Sequence, residues 1–228
     1  MARSPAAVRV WDLPLRVFHW ALVLCIIGSL VSITIGGNWM AWHMRFGYCI
    51  LALMLFRVVW GFVGSRYARF GDFLSGPANI VRYLRGAPEA RASAGHNPLG
   101  SLSVVAMIVL LLAQATMGLF ANDDVFTEGP LVKFISKETS DAITGWHHLN
   151  GFVICVLIVL HLAAIAFYRF ARGQRLVRAM VGGDKRAGSD GLDAVSIPAA
   201  ADDGAGTRIR GLVVFALCAA LVWWIVTR

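Results

Sequence analysis

From Trp146 to Phe167 the chain runs for twenty-two residues without Asp, Glu, Lys or Arg. A helix needs about 20 apolar residues to cross the hydrocarbon core of a bilayer, where every backbone N–H and C=O must be satisfied inside the element. Four more runs are comparably apolar, Val17–Ile35, Ala41–Val63, Leu102–Phe120 and Gly211–Val226, and of these the second alone carries charged residues, Arg45 and Arg57. Alternating polar and apolar residues, the mark of a membrane barrel, are not apparent. The spacing therefore predicts an all-α integral membrane protein: four helices in a transmembrane bundle and a fifth, carboxy-terminal transmembrane helix.

Composition agrees. The chain is 58% hydrophobic and 15% charged, against about 25% charged in an ordinary soluble domain. The net charge of +8 does not point to nucleic acid, because the arginines fall between the apolar runs, where they set membrane orientation. Arg3, Arg9 and Arg16 precede the first run; Arg66, Arg69, Arg82, Arg85 and Arg91 separate the second from the third; Arg169, Arg172, Arg175, Arg178, Lys185 and Arg186 follow the fourth. The loop Gly36–Trp42 has no Lys or Arg, and Ala121–Gly145 has only Lys133 and Lys137. The amino terminus and the arginine-rich loops are thus expected in the cytoplasm, and the carboxy terminus in the periplasm. The amino terminus is not expected to be a cleaved signal, since its apolar run continues without a clear cleavage site.

Three divisions follow: residues 1–170 as a four-helix domain, 171–210 as a flexible cytoplasmic linker rich in Gly, Ala, Ser and Asp between Gly182 and Gly206, and 211–228 as the last helix. Phe73–Gly86 is expected as a short amphipathic helix in the cytoplasmic interface. Cys25, Cys49, Cys155 and Cys218 each sit in an apolar run without Cys-x-x-Cys spacing, which excludes covalent c-type haem attachment and a zinc ribbon.

The histidines carry the chemistry. His96, in "GHNPLG", reads as a solvated or turn residue; the other five lie in or at the ends of apolar runs, where an ionisable side chain is a functional hypothesis by default. At about 100° and 1.5 Å per residue, His147 and His161 share a helix face about 21 Å apart, whereas His148 is turned about 140° away from His161. Alternating helix directions place His19 and His161 toward the cytoplasm and His43 and His147 toward the periplasm. Each pair comes from two helices of a bundle, the arrangement needed to clamp a flat macrocycle between two imidazoles. A proton relay would be expected to bring intramembrane carboxylates, and the five runs contain none. Arg57, fourteen steps after His43 on nearly the same face, is a candidate for neutralising a haem propionate; the alternative is an arginine snorkelling to the surface. Arg16 and Arg45, beside ligand positions, are weaker candidates of the same kind.

"VWDLPLRVFHW", "WHMRFGY", "FRVVWGFVGSRYARF", "GHNPLGSLSVVAMIVLLLAQATMGLF" and the "HHL" followed by "LH" of the fourth run resemble, in that order, the bacterial cytochrome b561 family, which includes di-haem cytochrome b subunits of nickel–iron hydrogenases. The resemblance covers about Val10 to Phe170. It implies two haems b, each held by two histidines, with His19, His43, His147 and His161 as ligands, and exchange of electrons with membrane quinone. The "WDLP" opening resembles the branch paired with c-type cytochromes. The expected function is transfer of electrons between a periplasmic partner, a c-type cytochrome or a hydrogenase-like oxidoreductase, and the quinone pool of the bacterial inner membrane. Whether such an electron-transfer subunit also acts as a quinone oxidoreductase stays open. Two rivals stand beside this reading: a stand-alone superoxide:quinone oxidoreductase of the same fold, and a haem-free transporter or scaffold.

Overall fold

The computed structural model describes residues 7–74, 76–86, 95–186, 190 and 199–228. Arg3, Arg91, Ser75 of the expected interfacial helix, and residues 187–189 and 191–198 of the expected linker lie outside them. The described chain forms eight α-helices: α1 (Leu13–Ile35), α2 (Met40–Val63), α3 (Phe70–Phe73), α4 (Pro77–Leu84), α5 (Pro98–Gly118), α6 (Lys137–Ala171), α7 (Leu176–Gly182) and α8 (Ala205–Val226). Five of these, α1, α2, α5, α6 and α8, are long and apolar enough to cross a membrane. The protein is an all-α, multi-pass membrane protein. Strands β1 (Ala7–Arg9) and β2 (Asp184–Arg186) add one small antiparallel pair, Val8 opposite Lys185, which hydropathy gave no reason to expect.

Helix ends follow capping chemistry more than apolarity. α1 begins at Leu13 because Asp12 caps it: Asp12 Oδ1 accepts the Leu15 amide at 2.7 Å, and Pro14 occupies an early position where its missing N–H costs nothing. α5 starts after Asn97, whose Oδ1 accepts the Gly100 amide at 2.7 Å, with Pro98 as its first residue. α6 begins nine residues before the expected Trp146, where Ser136 Oγ accepts the Thr139 amide. The expected interfacial segment holds α4, started by Pro77.

By compactness the chain forms two units. The first comprises Met1–Val17, Val59–Ala106 and Ile158–Gly211; the second, Phe18–Val58, Met107–Leu157 and Leu212–Arg228. In the first, the Asp12 carboxylate is fully buried. Besides the Leu15 amide it accepts Trp60 Nε1–H at 3.2 Å and the Ser65 hydroxyl. The expected flexible linker is structured where it is described. α7 and β2 lie in it, and Val10 and Trp11 donate to Gly183 O. Lys185 is buried, donates to Gly95 O at 3.0 Å, and is held down to about 8 by its burial. Asp203 accepts the Leu13 amide at 2.9 Å and faces Arg9, Arg16 and Arg208 at 3.2, 3.6 and 3.4 Å. Burial works to raise its carboxyl, but the Leu13 amide and the Arg208 and Arg9 cations outweigh it and keep the pKa below the usual carboxylate range. Local composition signals flexibility; it does not show that the segment's charges are matched by Arg9 and Arg16 far away in sequence. At the start of α8, Gly211 leaves room for Pro14, whose ring would lie 2.7 Å from an added Cβ. His96 is not a solvated turn residue: its ring packs 4.8 Å from Trp11 and 5.2 Å from Phe73.

In the second unit α2 is the most enclosed helix, with Leu51, Leu53, Met54 and Phe56 all buried. Gly28 of α1 admits the Phe46 ring, which would lie 2.5 Å from a Cβ there. Phe215 of α8 meets Phe56 at 6.2 Å. The loop from Leu119 to Ser136 is tied to α6 through Asn122, which donates to Ser140 Oγ and Asp141.

Replacing Asp12 by Ala removes a helix cap and leaves the Trp60 and Ser65 donors buried without an acceptor. The expected loss is roughly 2–4 kcal/mol of stability, read as a lower unfolding midpoint in detergent by tryptophan fluorescence. An unchanged midpoint would show that the carboxylate does not hold this end together.

Candidate haem-ligand site

Each intramembrane histidine has to place one N–H and one lone pair without water. α1 and α2 solve this for His43. Its Nδ1 lies 3.0 Å from the Ser29 carbonyl and 3.1 Å from Ser29 Oγ. A carbonyl only accepts, so Nδ1 carries the proton and Nε2 carries the lone pair. α5 and α6 do the same for His147, whose Nδ1 donates to Gln114 O at 3.1 Å. Gly118 permits this approach, with His147 Cε1 only 3.3 Å from where a Cβ would stand. The two rings lie near each other, with centroids 6.4 Å apart and planes nearly perpendicular at 84°.

That separation tests the fit of a haem. Two imidazoles on opposite sides of one metal ion, at the usual metal–imidazole bond of about 2 Å, hold their ring centres on the order of 6 Å apart. Among the described residues no third His, Cys, Asp or Glu joins this pair in a metal-binding group. Two neutral imidazoles that each carry the lone pair on Nε2 suit a metal that brings further ligands of its own, as haem iron does, and suit zinc poorly. One adjustment is required. Gln114 Nε2 lies 3.2 Å from His147 Nε2 and donates to it, so this contact has to yield when a metal takes that nitrogen. Asn150 Nδ2 holds Gln114 Oε1 at 2.7 Å and the Leu110 carbonyl at 3.0 Å.

The structure thus brings together His43 and His147. His148 is exposed, and the ring of His147, not that of His148, lies near His43. His19, half-buried on α1 beside Trp20, is part of the second unit; His161, half-buried on α6, is part of the first. Arg57 is 3% exposed, which is not the state of an arginine snorkelling to a surface. Arg16 has protein partners, the Val181 carbonyl at 2.6 Å and Asp203. Arg45 is exposed and lies over the Trp42 ring at 4.7 Å.

Sequence reasoning passed over Ser29, Gln114 and Asn150. The last two had a signal: they are the only side-chain amides in the five long helices, and an amide in hydrocarbon requires a partner.

The family model of the prokaryotic cytochrome b561 matches residues 10–183. A "Probable Ni/Fe-hydrogenase B-type cytochrome subunit" of Azotobacter chroococcum mcd 1 is 26% identical over 220 residues, covering 79% of this chain and 89% of the relative. The protein of the same name from Rhodobacter capsulatus is 23% identical, covering 84% and 86%. The "Probable Ni/Fe-hydrogenase 1 B-type cytochrome subunit" of Escherichia coli (strain K12) is 23% identical, covering 67% and 79%. No solved structure matches. The family match stops before α8, although α8 packs on α2 within the second unit. With three quarters of its length matched, the chain belongs to the prokaryotic cytochrome b561 family and is a membrane cytochrome b of electron transport.

Proposed function

We propose that this cytochrome b carries two haems b and moves electrons between a periplasmic redox partner and the quinone pool of the bacterial inner membrane. The observation that carries the proposal is the neighbouring pair His43 and His147, each with Nδ1 tied to a backbone carbonyl and Nε2 left as the lone-pair nitrogen. These two would hold one haem; His19 and His161, sorted together by depth in the sequence, would hold the other. The names of the relatives favour a hydrogenase-like oxidoreductase as the partner, with a c-type cytochrome as the other candidate of the same chemistry. The amino terminus lies in the cytoplasm and the carboxy terminus in the periplasm, as the arginine distribution supports.

When bound, haem b supplies the one-electron chemistry. The protein's own contribution is positional and electrostatic. The carbonyls of Ser29 and Gln114 fix the imidazole tautomers and ring orientations, as outer-shell partners of metal-bound histidines do. The buried Arg57 would offer a fixed positive charge, in a medium of low dielectric, to a haem propionate; Arg16 and Arg45 are weaker candidates of the same kind. The apolar helices around the site exclude water.

The purified chain is expected to show two haems in a pyridine haemochrome assay, both extractable by acid acetone. His43→Ala and His147→Ala should each lose about one of them, and His148→Ala should keep both. Loss of a haem from His148→Ala with retention in His147→Ala would overturn the assignment. In a redox titration, Arg57→Gln should lower the midpoint potential of one haem by on the order of tens of millivolts, because a lost cation makes an added electron less favourable. Arg57→Lys should restore most of it. Potentials untouched by either change would remove Arg57 from the site.

A further inference from the structure

Where α6 ends and the chain turns into α7, the first unit carries a groove of about 550 Å³. Its wall changes character along the helix. Leu162 and Ile165 line the part belonging to the membrane-length helix; Arg169 lies on the same face one turn beyond Ile165, and Arg175 and Arg178 come from the α6–α7 connection and from α7. Phe170 borders the groove and is 86% exposed. No Asp or Glu lines it. Among the described residues, none of Arg169, Arg175 and Arg178 is in an ion pair. The Asp190 carboxylate, near in the fold, is turned to the backbone amides of Arg175 and Arg186 at 3.3 and 2.9 Å.

Three exposed guanidiniums at the end of an apolar wall match one kind of ligand, an anion that also carries a hydrocarbon chain. From Leu162 to Arg169 the helix rises about 10 Å, the scale that separates the upper acyl chain of a phospholipid from its phosphate. Guanidinium groups bind phosphate oxygens in paired, charge-assisted hydrogen bonds, and basic pockets at the end of transmembrane helices are a recognised place for anionic head groups. A free phosphate would leave the Leu162–Ile165 wall unused, and a neutral quinone would leave the arginines unused. We propose that this groove is a specific binding site for an anionic phospholipid, with its phosphate on Arg169, Arg175 and Arg178 and an acyl chain along Leu162 and Ile165. The groove shares no residue with the His43–His147 pair, and the proposal does not depend on the electron-transfer reading.

The test is lipid retention by the full chain as purified. The protein in mild detergent is equilibrated with equimolar phosphatidylglycerol and phosphatidylcholine, and bound lipid is counted by native mass spectrometry. The wild type is expected to retain phosphatidylglycerol over phosphatidylcholine by about tenfold or more. R169Q/R175Q/R178Q should bring that ratio close to one. R66Q/R82Q/R85Q, which removes the same charge from another loop, should leave it unchanged. R169K/R175K/R178K keeps the charge that sets membrane orientation but loses the paired hydrogen bonds, and should fall between. Excess inorganic phosphate and a short-chain quinone should fail to displace the lipid from the wild type. Equal retention of the two lipids, equal loss in both glutamine variants, or displacement by phosphate or by quinone would overturn the proposal. The wild-type competition decides the matter even if a variant fails to fold.

Discussion

An imidazole placed in hydrocarbon has one donor and one acceptor to account for, and no water to help. In this protein the account is settled on one side by the backbone. Ser29 O and Gln114 O receive the Nδ1 protons of His43 and His147, so both rings present a lone pair from Nε2. A helix carbonyl is normally occupied by the amide four residues on, and a second donor at the same oxygen is tolerated because carbonyl oxygen has two lone pairs. The helices must therefore approach closely at these points, and small residues make that possible: Gly118 beside His147, Gly28 beneath Phe46. The tautomer, the ring orientation and the helix packing are one problem with one solution.

The other half of the chain depends on charges joined over long sequence distances. Asp12 holds the first turn of α1 to Trp60 and Ser65; Asp203, close to the start of α8, holds Arg9, Arg16 and the Leu13 amide. α8 is thereby fastened at its beginning to the segment that opens α1, and Gly211 lets it pack on Pro14. This gives α8 a structural part although the family match ends at residue 183. It also changes how some of the basic residues are read. Arg9, Arg16 and Lys185 count toward membrane orientation in the sequence, yet each also has a partner inside the protein.

Much of this was legible beforehand, and for definite reasons. Apolar length identifies the five long helices because hydrocarbon admits few alternatives to a helix. Helical phase separates His147 from His148, and alternating helix direction puts His147 at the depth of His43; the structure brings those two rings together. Helix starts were less legible, since apolarity marks where a helix enters the bilayer and not where its hydrogen bonds begin, as Ser136 and α6 illustrate. The stretch from Gly182 to Gly206 misled because a Gly- and Ser-rich composition describes local freedom, whereas β2, Lys185 and Asp203 are fixed by partners more than eighty residues away. Gln114 and Asn150 were visible as amides in an apolar helix, but their partners could not be read without the packing of α5 on α6. His19 and His161 rest on depth and on family resemblance.

The most direct test is an experimental structure of the purified, haem-containing protein at a resolution that shows the axial ligands. The expected result is one iron held by His43 and His147, with the Nδ1 atoms still on the Ser29 and Gln114 carbonyls and the Gln114 amide withdrawn from His147. An iron on His148, or one that takes only a single member of the pair, would contradict it.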